Sequence, residues 1–506
     1  MTLLAPKSRS TSPIAIQPAS VFTSAKEKEA FSYFLARTSP QIAGFYVDEF
    51  WNQTIPQAAH VDSGIRHAIM ALASVHRLFE EHGDADDLSD AFGMQQYQLA
   101  IRRHIEYTQG LGPENLALAK GKEGLESYLA SSMLFICIEM LQGHFVSAIS
   151  LTKTAVRLFY EYIIPSTYIP GTATFSAWPL AIFESILARL QFKAVGLVGR
   201  LAVGGIIAPR IKKLPSKWDA PPVPAKFTSI TEARDWYDSF NWAHAFPSHE
   251  QGIQDLQDDL RDPAMHQTQV AALESWSAAF AALLADLDDK TLSQRDRNAI
   301  AVLQVRLLQT RLSFHMMIRD ELADCNPMLW DDYTAEFTST LDQLETVMQT
   351  QSTLDRVPAP TSPLSCPAGR DPRKPSRHLF TLDFGLVAPL YEVGRLCREP
   401  LVRRRAINLL YAHPMREGMW DGVLAARACE AQMELEEGLA RDMGGGVEKR
   451  EIVSASDIPR DARIITLLPD FKPGQRWARV FFSRLPAESP MIDRPREWHF
   501  EQVIEW

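Results

Sequence analysis

The chain has 506 residues, enough for one large core or for two to three domains. A 46% hydrophobic fraction is that of a folded globular protein, and 52 Lys and Arg against 62 Asp and Glu leave a formal charge of −10. That charge repels nucleic acid and anionic lipid at long range, and no basic DNA-binding arm stands in the sequence to offset it.

The five cysteines, Cys137, Cys325, Cys366, Cys397 and Cys429, are scattered, with no pair at the short spacing of a zinc site or a redox couple. A disulfide framework is not expected, and a reducing intracellular compartment fits. The N-terminus, MTLLAPKSRSTSP, lacks the apolar run of a signal peptide, and no stretch of about 18 uninterrupted apolar residues suggests a membrane span.

Residues 1–24, rich in Ser, Thr, Pro and Ala, read as a flexible leader. From Glu29 on, Phe31, Phe34 and Leu35 sit at helical spacing. A strong helix is predicted over 64–82, where Ile65, Ile69, Leu72, Val75 and Phe79 form one stripe, Asp62 or Ser63 caps the start and Gly83 ends it. An acidic loop and a helix over 94–107 follow. Residues 123–160 read as a helix pair broken at Gly143, and 179–199 as another apolar helix; the glycine-containing stretch 195–209 reads as a buried helix end and loop. After a Pro-rich connector, 267–350 is long and helical, with Leu303, Leu307, Phe314 and Ile318 on one face. A Pro, Ser and Arg linker covers 358–378, a second helical block 379–440, and the run at 443–446 ends it. Only the tail looks extended: 464–468 and 480–485 are expected to pair as short strands. The fold class is therefore all-α, a large helical domain with a small C-terminal β element. Its parts are 25–357 and 379–506, joined by the linker.

Four segments carry a resemblance. FSYFLARTSPQIAGFYVDEFWNQTIPQAAHVDSGIRHAIMALASVH, residues 31–76, places Gly44, Phe45, Phe50, Trp51, Arg66, His67, Ala68, Leu72 and His76 as a known pattern needs them. QYQLAIRRH is the second and SMLFICIEMLQGHFVSAISLTKTAVRLF the third. The fourth and most distinctive is PLYEVGRLCREPLVRRRAINLLYAHPMREGMWDG, residues 389–422. Together they make the chain, over roughly 25–485, resemble the helical regulatory domain of fungal zinc-cluster transcription regulators. One departure is Met415, where the family usually has arginine.

The resemblance implies a nuclear, transcription-regulator-like protein that controls a gene set, such as a secondary-metabolite set, through protein contacts. Implied partners are full-length regulators with which it dimerises, transcription cofactors and a small-molecule effector. Members of the family begin with six cysteines holding two zinc ions, and here no cysteine precedes Cys137. DNA reading is therefore not carried over: no direct nucleic-acid contact, membrane contact, metal or cofactor is expected. A truncated DNA-binding activator, or a helical protein turned to ligand binding or catalysis, are the alternatives.

The residues themselves admit plainer roles. Trp51 and Trp420 suit core anchors. Arg403, Arg404 and Arg405 point in different directions on a helix, so pairing with Glu399 or Glu417 is expected ahead of phosphate binding. His67 and His76 are nine positions apart on one helix, too far for a shared metal. Glu139, a carboxylate in an apolar helix, needs a partner, for which Arg157 or Lys153 is expected. Glu139, His67 and Arg405 are the candidate ligand or regulatory residues.

No enzyme motif fits. DDLSD (Asp86, Asp87, Asp90) and DDLRD (Asp258, Asp259, Asp262) spell the magnesium-binding motif of isoprenoid synthases, yet both read as solvated acidic turns. The Gly-rich stretches lack the Lys-Ser/Thr of a phosphate loop, and neither GxSxG nor HExxH occurs.

Overall fold

The computed structural model describes residues 21–46, 48–83, 90–108, 113–159, 183–190, 193, 223–245, 263–288, 290–319, 326–354, 378–383, 385–443, 451–471, 477–486 and 497–505. Among them the chain is mostly helical. The N-terminal part holds α1 (Ala25–Tyr33), a π-helical turn Phe34–Thr38, α2 (Ser39–Ile42), a second π-helical turn Phe50–Thr54, α3 (Ile55–Val61), α4 (Ser63–His82), α5 (Ala91–Thr108), α6 (Pro113–Leu141) and α7 (Phe145–Leu158). Residues 183–190 are helical too. Then come α8 (Ile230–Ala245), α9 (Pro263–Asp286), α10 (Gln294–Arg319), a 3-10 turn Pro327–Tyr333 and α11 (Thr334–Leu354). The last part runs β1 (Leu379–Thr381), α12 (Val387–Leu396), α13 (Pro400–Ala412), β2 (Met415–Glu417), β3 (Trp420–Asp421), α14 (Gly422–Met443), β4 (Thr466–Phe471), β5 (Trp477–Ser483) and β6 (Phe500–Glu505).

Local chemistry sets the boundaries. Asp62 caps α4 by accepting from the Gly64 and Ile65 N–H groups, and Gly83 ends it at φ +66°, a conformation open to glycine. All five predicted stripe residues of α4 are buried. Gly143, at φ +75°, separates α6 from α7 as expected. The window Gly124–Leu141 of α6 is long and apolar enough to cross a membrane, but 89% of it is buried against the protein, as in a core helix.

Apolar side chains gather in four main clusters. The first joins α1–α7, helical residues 183–190, and Phe380, Leu382 and Met419 from the chain's last third. The second packs α11–α14 against one face of α10, at Val302 and Val305. The third packs Tyr46, α8 and α9 against another face of α10, at Ala299, Leu303 and Leu307. The fourth lies between α14 and the C-terminal sheet. Thus α10 serves two cores at once.

Two small sheets complete the fold. In the C-terminal sheet β4 pairs antiparallel with β5, as the tail predicts, and β6 adds a third strand, pairing antiparallel with β5. The block 379–440 is not wholly helical: β1 runs parallel to β2, and β2 antiparallel to β3. Strands of two or three residues are too short to show alternation. The stretch 267–350 divides into α9, α10, the 3-10 turn and α11. The leader 1–20, the stretch 195–209, DDLRD and the linker stretch 358–377 lie outside the described residues.

Candidate functional site

The turn 414–421 from the most distinctive segment sits where three helices begin or end. Arg416 is buried and donates from Nη1 to the Met140 and Leu141 carbonyls at the C-terminus of α6 (3.1 and 2.9 Å), the first of which also accepts the Gly143 N–H. Its Nη2 and Nε reach Asp421 Oδ2 (2.7 and 3.1 Å), and its guanidinium lies over the Phe79 and Phe145 rings. The other oxygen of Asp421 accepts the Leu424 N–H (3.0 Å) at the first turn of α14. Glu417 accepts the Leu386 N–H at the start of α12. Burial pushes the Glu417 carboxyl above its usual range, while Lys193 and the backbone N–H groups of Gly385, Leu386 and Val387 pull it back. Trp420 donates from its indole to the Lys193 carbonyl (3.2 Å). Met415 is buried in the second core, an apolar place at which arginine would need a partner.

Beside this turn lies a buried ionic node. Asp383 follows β1; Arg234 and Asp238 stand one turn apart on α8; Arg306 is on α10; Arg189 and Lys193 come from the segment beginning at 183. All six side chains are buried. Arg306 Nη2 donates to Asp238 Oδ1 at 2.5 Å, and Lys193 Nζ to the Asp383 carbonyl at 2.6 Å. The other pairs are longer: Arg189 to Asp383 at 3.4 Å, Arg234 to Asp383 at 3.7 Å and Arg189 to Asp238 at 3.9 Å. The Arg234 guanidinium lies 4.5 Å from the Tyr46 ring centroid, and that of Arg306 4.7 Å from Tyr237. Burial lowers the Lys193 ammonium to about 8 against the opposing pull of Glu417 and Asp383. Burial, then Asp383, pushes the Tyr46 phenol up. Burial also works against the Arg234 and Arg306 charges, but Asp383 for the first and Asp238 for the second outweigh it and raise both.

A third network ties the C-terminal sheet to this region. Glu436 on α14 receives Arg398 Nη2 (2.8 Å), Arg403 Nη1 (2.6 Å) and the Ile464 N–H (2.7 Å). Burial opposes its ionisation, but the two arginines prevail and hold the carboxyl at about 2. Arg463 forks onto both oxygens of Asp331 at 2.7 Å.

The three residues singled out from sequence do not converge. Glu139, near the end of α6, accepts from the Tyr97 hydroxyl (2.6 Å) and faces His144 Nδ1 (3.1 Å); Arg157 and Lys153, its expected partners, are not the groups on it, because the turn after Gly143 brings His144 closer. His67, on α4, meets the Gln96 amide oxygen at 2.6 Å. Arg405 reaches Asp342 (2.7 Å) and Glu345 on α11. The three arginines do diverge, but their partners are Glu436, Glu437 (2.6 Å from Arg404) and the α11 acids rather than Glu399 or Glu417, because α13 lies between α11 and α14. His76 is buried between Thr38 Oγ1 and Gln41 Oε1, both at 3.0 Å, and burial lowers it to about 4. Asp90 caps α5 through the Gly93 N–H (2.5 Å), while Asp86 and Asp87 lie outside the described residues.

Arg189, Arg234, Asp238, Arg306 and Asp383 are not among the residues that the sequence motifs mark. A signal was present: Arg189 in AIFESILARLQF and Asp383 in LFTLDFG are charges inside apolar runs, which a buried segment tolerates only when they are paired. Among the described residues no three His, Cys, Asp or Glu side chains come together to hold a metal ion. Cys137, Cys397 and Cys429 are buried and unbridged.

No family model matches the chain, and no solved structure matches it. The chain is similar to the aspercryptin biosynthesis cluster-specific transcription regulator atnN of Emericella nidulans, at 24% identity over 497 residues, covering 84% of this chain and 75% of that protein.

Proposed function

We propose that this chain is a nuclear, transcription-regulator-like protein that controls a set of genes, those of a biosynthesis cluster by analogy with its relative, through contacts with other proteins. The observation that carries the reading is the extent of the similarity to a cluster-specific transcription regulator: it runs through 84% of the chain. The geometry agrees with it. Arg403, Arg404 and Arg405 are each bonded to acids of the same chain rather than gathered into one phosphate-binding patch. The formal charge of −10 favours partners other than bare nucleic acid. Such partners are DNA-binding regulators with which the chain pairs, or transcription cofactors.

Glu139, His67 and Arg405 are proposed as three separate regulatory positions, since they lie on α6, α4 and α13 in different hydrogen-bond networks. The test of the function is a transcript profile of a strain lacking the gene. A coordinated change across a contiguous gene set supports the reading, and an unchanged profile under producing conditions refutes it.

A further inference from the structure

The C-terminal sheet ends in two unlike edges. At one, β4 carries Pro469 in mid-strand, a residue with no N–H to offer, and its Phe471 ring packs against Phe145 of α7 (5.6 Å between centroids). At the other stands β6, which reads FEQVIE. It pairs with β5 on one side, and among the described residues no strand pairs with its other side. It holds no proline and no lysine, and Val503 on it is 56% exposed. A bare edge of this kind is a template for one more strand. We infer that β6 pairs antiparallel with β6 of a second copy of this chain, about a two-fold axis through Gln502, joining the two three-stranded sheets into one of six strands.

The side chains of β6 complement themselves in this register. Antiparallel strands related by a two-fold normal to the sheet are centred on one residue, which faces its own copy, and residues directly opposite point to the same face. Centred on Glu501, the pair would set Glu501 against itself; centred on Val503, it would set Glu501 against Glu505. Both oppose like charges. Centres nearer either end overlap fewer of the six residues. Centred on Gln502, the pair sets Phe500 against Ile504, Glu501 against Val503 and His499 against Glu505, so no carboxylate faces another. At the axis two Gln502 amides meet, and an amide both donates and accepts. Arg479 of β5 already holds the Glu501 carboxylate at 3.2 Å, which leaves the aliphatic stem of Glu501 for the exposed Val503 of the other copy. Gln502 and Val503 are exposed, whereas Ile504 is buried in the fourth cluster with Leu424, Ala428 and Ala431 of α14. The two-fold therefore keeps the α14 helices of both copies on one face of the joined sheet. Six residues make an edge about 20 Å long. That is less than a standard interface, so the dimer is a weak one that forms in the micromolar range.

The test is sedimentation of the full chain in three forms: wild type, Gln502→Glu and Gln502→Lys. Gln502 is exposed, so both variants are expected to keep the wild-type melting temperature. Wild type is expected to pass from monomer to dimer between about 1 and 100 μM. Each variant alone sets like charges face to face at the axis and is expected to dimerise about fivefold more weakly. Mixed in equal amounts, the two set Glu against Lys and are expected to pair at least as tightly as wild type, which misfolded variants would not do. Hydrogen exchange at 500–505 is expected to slow as wild type dimerises. A wild type that stays monomeric up to about 100 μM overturns the pairing, whichever other chain the edge then takes. So does a dimer that both variants form as readily as wild type, or a mixture that pairs no more tightly than its parts. The pairing stands apart from the regulator reading: no gene enters its test, and that reading holds or fails on the transcript profile alone.

Discussion

Arg416 and Asp421, five positions apart across a turn, are bonded twice, and each also closes a helix end: Arg416 the C-terminus of α6, Asp421 the N-terminus of α14. One ion pair therefore fixes the distance between a helix of the N-terminal core and a helix some 280 positions later, a spacing read from Leu141 and Gly422.

Replacing Arg416 by Met takes the guanidinium from the buried Asp421 charge and from the Leu141 carbonyl, with an expected loss of about 3–5 kcal/mol in urea unfolding. Adding Asp421→Asn to Arg416→Met is expected to cost less than the sum of the two single changes, since no charge is then left alone. Strict additivity would show that the two residues act apart.

Acid stability has a lower arm set by Glu436. Its folded carboxyl is held at about 2 against an ordinary 4.5, so its contribution is full above about 4.5 and is lost as pH falls toward 2. In a pH series of unfolding midpoints, Glu436→Gln is expected to be less stable by about 3–5 kcal/mol at neutral pH. The loss should shrink steadily below pH about 4.5. A loss that stays constant down to pH 2 would contradict the assignment.

The histidines act in a higher window. Burial lowers both His76 and His104 to about 4 from an ordinary 6.5. Folding thus favours their neutral forms, and that contribution is full above about 6.5 and lost as pH falls toward 4. The double change His76→Gln and His104→Gln is expected to flatten the stability profile between those values. A profile as steep as that of wild type there would place the titration elsewhere.

Two glycines separate backbone strain from crowding. At Gly143 a Cβ meets nothing within 4 Å, so Gly143→Ala is expected to cost only the left-handed backbone penalty of about 1–2 kcal/mol. At Gly83, whose φ +66° and ψ −135° lie outside the left-handed helical well, a Cβ would also fall 2.3 Å from the His378 ring, so Gly83→Ala is expected to cost more, by about 1–3 kcal/mol of overpacking and backbone strain. Equal melting temperatures for the two variants would mean that the His378 ring moves aside freely.

Helical periodicity made α4, α6 and α7 legible, because their stripes and stops are local: Asp62, Gly83 and Gly143 each act within one turn. The β4–β5 pair was legible from its β-branched and aromatic residues for the same reason. The β1–β3 sheet was not, since strands of two or three residues carry no pattern, and Leu379 pairs with Met415 only through the fold around them. The ionic node was half visible. Arg189 and Asp383 are charges in apolar runs, a signal that was there but not used, and their partners on α8 and α10 are settled by how helices cross rather than by spacing. The motif block 389–422 was recognised as a pattern, and the structure supplies its reason: Arg403, Arg416, Glu417 and Asp421 all hold other elements in place.

The most direct measurement is promoter occupancy by an epitope-tagged copy of the full chain, made by chromatin immunoprecipitation under conditions in which its target genes are expressed. The account predicts enrichment at the promoters of one contiguous gene set, the same set whose transcripts change when the gene is deleted. Absence of enrichment at every promoter, together with unchanged transcripts, would contradict it.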